Sequence, residues 1–118
     1  MQSDLNEIPL NQIKILQEYI VKKGKERGFS SETLHERLLI LVEEIGELMK
    51  AVRKTDNGFL DKSKDNDADL EGEISDILTM LFWTAHKLNV DVSKAFKKKE
   101  KENNKRVWKR SAKLSKHK

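Results

Sequence analysis

The stretch LHERLLILVEEIGELMKAV, residues 34–52, decides the fold class. Leu34, Leu38, Leu41, Val42, Ile45, Met49 and Val52 recur every three or four residues, the spacing of one helix face. Ser30 or Ser31 offers an N-cap, and the stripe ends near Thr55. Upstream, Leu10, Ile13, Leu16, Ile20 and Val21 predict a helix over residues 10–27, fading at Gly24 and Gly28. Downstream, residues 56–67 are polar and read as a loop, with Phe59 and Leu60 folded against the core. A further stripe through Leu70, Ile74, Ile77, Leu78, Leu81, Ala85 and Leu88 ends before Asn89. Ser93, Ala95 and Phe96 then open a last helix running to about Trp108. No internal repeat is present, and the elements predict an all-α, four-helix bundle.

Composition agrees with that class. One Pro and five Gly leave little material for the turns of an all-β fold, and 37% charged residues against 36% hydrophobic ones leave a modest core. A chain of 118 residues is one domain whose apolar surface is better covered in an oligomer. We expect residues 1–110 to form the domain and 111–118 a basic, disordered tail. With no cysteine and three scattered histidines, disulfides and Cys-type zinc sites are excluded, and any metal must be held by oxygen. The first ten residues are polar and no run has the length of a membrane span, which predicts a cytoplasmic protein. Charge is uneven: residues 97–118 hold eleven Lys or Arg against Glu100 and Glu102, a local +9 in a chain of net +4, so the first 96 residues stand near −5.

Glu44 and Glu47 on one helix, and Glu73 and Asp76 on another, are carboxylate pairs at i and i+3. Like charges at that spacing repel unless a cation lies between them. On a helical wheel Glu44 and Glu47 lie roughly 80° and 140° from their stripe, and Glu73 and Asp76 repeat those offsets from theirs. Two antiparallel helices packed by their stripes would bring all four acids to one seam. Four converging carboxylates raise one another's pKa, a conflict that a divalent cation resolves. Oxygen-only ligands favour magnesium, manganese or calcium. Either pair alone is commonplace on a solvated helix face, and Glu43, about opposite the stripe, belongs there.

With these residues in view, Leu41-Val42-Glu43-Glu44-Ile45-Gly46-Glu47-Leu48 resembles the E-E-x-x-E signature of MazG-type nucleoside triphosphate pyrophosphohydrolases. Glu73-Ile74-Ser75-Asp76 is similar to the partner E-x-x-D, and Lys99-x-x-x-Asn103-x-x-Arg106 resembles the C-terminal K-x-x-x-N-x-x-R. The likeness covers about residues 28–108. It implies the MazG fold, an oligomer (homodimer or homotetramer), and cleavage of (deoxy)nucleoside triphosphates, often noncanonical ones, to monophosphate and pyrophosphate. It further implies Glu44, Glu47, Glu73 and Asp76 as the catalytic ligands of magnesium, with manganese as a substitute, and Lys99, Asn103 and Arg106 as phosphate-binding residues. Under that reading hydrolysis is metal-assisted, and one carboxylate is available to take the water's proton.

For the base, Trp83 and Met80 fall near the Asp76 side of their helix, and Phe29 occupies a place where similar proteins often carry an aromatic. Phe29 and Trp83 are therefore candidate substrate contacts, although core packing is the commoner use of such residues. His35 reads as a surface or capping residue, and Trp108 as an anchor for the last helix. Two rival classes remain. A helical nucleic-acid-binding or interaction module would use the basic C-terminal tail and leave the matched carboxylates without purpose. A helical enzyme acting on a phosphoribosyl nucleotide would share the metal chemistry. A di-iron bundle is disfavoured because no Glu-x-x-His accompanies the acids.

Overall fold

The computed structural model describes residues 2–55 and 69–106. Among them there is no strand, and the elements are α1 (Gln2–Asn6), α2 (Leu10–Glu26), a 3-10 turn (Phe29–Ser31), α3 (Leu34–Thr55), α4 (Leu70–Lys87) and α5 (Val92–Lys105). The fold is all-α, as the periodicity predicts. The expected loop with Phe59 and Leu60, the docking of Trp108 and the tail over 111–118 lie outside the described residues.

Local chemistry sets the helix ends. Ser30 and Ser31 are not the cap of α3, because they belong to the 3-10 turn. Thr33 takes that role: its Oγ1 accepts from Glu36 N–H at 3.1 Å, while Thr33 N–H donates to the Glu36 carboxylate at 3.3 Å, a reciprocal capping box. Asp69 accepts from Gly72 N–H at 2.8 Å at the start of α4. Asp91 does the same for Lys94 N–H at 3.2 Å at the start of α5. α4 ends with Asn89 at φ 60°, Val90 N–H bonding Ala85 O at 2.8 Å and Asn89 N–H bonding His86 O at 3.0 Å. That is a Schellman motif, and an Asn tolerates its left-handed position. Gly28, at φ 82°, turns the chain between α2 and the 3-10 turn.

Tertiary order starts at Trp83, only 1% exposed, which packs with Ile20 and Phe82 and is flanked by Ile13, Val21, Phe29 and Val92. Gly24 lets α2 approach the indole face, since a Cβ there would lie 2.5 Å from the ring. Phe29 meets Trp83 edge-on at 5.9 Å, and the Arg37 guanidinium covers Phe29 at 3.8 Å while pairing with Glu32 at 2.7 Å. Buried Gln17 ties α2 to the turn between α4 and α5: its amide donates to Val90 O at 2.9 Å and its carbonyl accepts from Val92 N–H at 2.9 Å.

The apolar stripes are not where the periodicity places them. α3 and α4 pack extensively, but α3 turns inward the edge carrying Arg37, Leu41, Glu44, Leu48 and Ala51, and α4 the edge carrying Leu70, Glu73, Ile77, Met80 and Thr84. Val42 is left 65% exposed, Met49 58% and Ile74 57%, with Leu38, Ile45, Val52, Leu78 and Leu81 also exposed. Stripe-to-stripe packing of these two helices within one chain is thus corrected. α4 must also give Phe82 and Trp83 to α2, and that requirement rotates its stripe out of the α3 seam.

Gly24→Ala should destabilise the fold by about 1–3 kcal/mol through overpacking against the indole, outweighing the helix propensity gained. Chemical denaturation followed by tryptophan fluorescence measures it. An unchanged or raised midpoint would contradict this packing.

Candidate metal centre

α3 and α4 are antiparallel: Arg37, near the start of α3, lies over Phe29 and so beside Trp83 late in α4, while Glu44, further along α3, meets Glu73 and Asp76 early in α4. One carboxylate oxygen each from Glu44, Glu73 and Asp76 lies within 4.8 Å of the others. Glu44 and Glu73 are half-buried and Asp76 is exposed, so the cluster opens to solvent on one side.

Glu73 carries the electrostatic strain. Its carboxyl is pushed above the ordinary 4.5, first by sharing a hydrogen bond with Glu44, then by burial, then by the charges of Glu44, Glu47 and Asp76. Oε2 of Glu73 is closed to solvent and has no hydrogen-bond partner among the described residues. A buried carboxylate oxygen without a donor, facing two further carboxylates, is a donor set suited to a hard divalent cation. The residues present fit such an ion.

The structure brings together Glu44, Glu73 and Asp76, and it leaves Glu47 exposed beside them, near enough for its charge to act on Glu73 but outside the three. Lys99, Asn103 and Arg106 are elsewhere. They lie on or at the end of α5, which packs on α2 and α1. There Lys99 pairs with Glu102 at 3.5 Å, and Asn103 Oδ1 is buried without a partner among the described residues. Of the two candidate substrate contacts, Trp83 is buried in the core beside Ile20 and Phe82, and Phe29 is partly buried against its ring, the packing use that is the commoner one for such residues. His35 is exposed in the first turn of α3.

Arg37 was not legible as a special residue in the sequence. It is 3% exposed and seven positions before Glu44, hence on the same inner edge of α3. A charged residue there is conspicuous only once the inner edge of α3 is known.

An all-helical protein with a cluster of three carboxylates between two antiparallel helices, a donor set suited to a hard divalent cation, is the class that fold and site define. Residues 30–108 match the model of the MazG nucleotide pyrophosphohydrolase domain, and the chain belongs to that family. Comparison with curated proteins and with solved structures returns no match.

A carboxyl whose pKa is raised on folding binds its proton more tightly folded than unfolded. Its contribution favours the fold below the ordinary 4.5 and is lost as pH rises through the raised value. In chelator, the melting temperature should therefore fall as pH rises through the Glu73 titration. Glu73→Gln should flatten that fall, and a retained slope would show that the strain resides elsewhere.

Proposed function

We propose that this chain is a magnesium-dependent nucleoside triphosphate pyrophosphohydrolase that releases monophosphate and pyrophosphate, with noncanonical nucleotides within its substrate class. The observation that carries this reading is the convergence of Glu44, Glu73 and Asp76 oxygens within 4.8 Å, in a domain of the MazG family. Glu44, Glu73 and Asp76 would hold the ion, for which manganese could substitute. When bound, such an ion polarises phosphate oxygens and offsets the charge of the leaving pyrophosphate.

The chain's own residues supply the remainder. Glu44 and Glu73 approach from different helices, so the α3–α4 packing fixes their separation before any substrate arrives. Glu47, exposed beside the cluster, is free to accept a proton from the attacking water. Phosphate contacts fall to Lys99, Asn103 and Arg106, the last with a guanidinium able to form a bidentate contact.

These residues lie on or at the end of α5, which packs against α2 and α1, away from the α3–α4 seam, and the stripes of α3 and α4 are exposed. Both facts support a working homo-oligomer, a homodimer at least, in which a second copy covers the stripes and brings its α5 to the acids. An exposed apolar face of that extent is a general mark of an association surface.

Pyrophosphate release from a panel of nucleoside triphosphates, with magnesium and then with chelator, tests the reaction. Release is expected only with the metal, and none from any triphosphate would refute the assignment. Changing partners of metal ligands costs about 10–100-fold, so Glu73→Gln or Asp76→Asn, removing a ligand outright, should lower turnover by at least about 100-fold with helix content unchanged. Val42→Glu places a charge in the exposed stripe and should leave monomers by light scattering. If that variant keeps the wild-type mass, the stripe is not the association surface.

A further inference from the structure

A groove runs between α2 and the turn joining α4 to α5, with a volume of about 580 Å³, within the range of small-molecule sites. Its floor includes Val21 and Val90, and most of its lining is apolar. Lys14, Lys22 and Lys25 of α2 reach it from one side, and His86 of α4 from the other. None of the three lysines has an ion-pair partner among the described residues.

Two acids share the groove. Asp91 is engaged at the start of α5, accepting from Ser93 Oγ at 2.6 Å and Lys94 N–H at 3.2 Å. Glu18 and Asp91, whose carboxyl is held down in part by the Lys14 charge, offset two of the three lysines, which leaves one positive charge in excess at a largely apolar surface. The imidazole registers that excess: the His86 pKa is lowered, first by burial and then by Lys25 and Lys87. Solvated lysines on a helix are ordinary. Lysines that line one concave, largely apolar surface together with an imidazole set up a positive potential there, which an anion would offset.

We infer that this groove is a second binding site, for a small molecule bearing a phosphate group on a flat apolar body, of the nucleoside monophosphate class. Three separate ammonium groups, with no guanidinium fork among them, suit the several oxygens of a phosphate better than a planar carboxylate. The valine floor suits a ring. The site is distinct from the carboxylate centre: His86 lies ten residues beyond Asp76 on α4, about 15 Å along the helix axis. It stands whether or not the carboxylates hydrolyse triphosphates.

The test uses the full chain in chelator at constant ionic strength, with the His86 imidazole signals followed by NMR during titration with adenosine monophosphate, inorganic phosphate or adenosine. The monophosphate should shift His86 saturably and bind about tenfold or more tighter than either fragment. The Lys22→Gln/Lys25→Gln double variant, changing two exposed residues, should weaken it by a similar factor. Glu73→Gln should leave it unchanged, which separates this groove from the metal centre. The proposal is overturned if the monophosphate gives no saturable shift, if the lysine variant binds like wild type, or if Glu73→Gln removes the response.

Discussion

Glu44 and Glu73 face one another across the seam between α3 and α4, and the arrangement around them follows from that opposition. Two carboxyls close enough to share a proton can stay together in metal-free protein only if one of them is protonated or the repulsion is offset elsewhere. The surrounding fold supplies the offset. The remainder of the inner edges is Leu41, Leu48 and Ala51 against Leu70, Ile77 and Met80, and the helices are further fixed at their far end by Trp83, Phe29 and Arg37. The acids are thus held close together by the packing of the helices that carry them, the arrangement a preorganised cation site requires.

Arg37 shows how far that organisation extends. A nearly buried guanidinium is costly unless it is paired and covered, and Glu32 and the Phe29 ring do both. Because Phe29 also rests on Trp83, the turn after α2, the start of α3 and the core of α4 are one packed unit. Gln17 adds the α4–α5 turn to it through two hydrogen bonds to backbone groups. The core is small, and directional polar contacts like these fix the helices where apolar area is limited.

Much of the fold was legible in the sequence because helix periodicity and capping are local. α2, α3, α4 and the start of α5 fall within a few residues of the apolar spacing, and Asp69, Asp91 and Asn89 mark ends by chemistry that needs no distant partner. α1 was missed, since five residues contain too little periodicity to signal. The cap of α3 falls two or three residues beyond the Ser30 or Ser31 that the sequence offers, because Ser and Thr are equivalent until the Glu36 contact selects Thr33.

The sequence by itself determined that the protein is helical and that its acids come as two i, i+3 pairs, Glu44 with Glu47 and Glu73 with Asp76, because spacing along a helix fixes which side chains share a face. Tertiary structure alone decided which face turns inward. A wheel gives angles relative to a stripe and assumes that the stripe seeks the core of its own chain. Here Trp83 and Phe82 commit α4 to α2, so α3 and α4 meet through the acid-bearing edges and the stripes stay outside. The same rotation makes Trp83 core, leaves Lys99 and Asn103 on a helix packed elsewhere, and opens the groove beside His86. Each of these is a relation between helices, and it depends on how competing apolar and polar surfaces are shared among neighbours rather than on the pattern within any one segment.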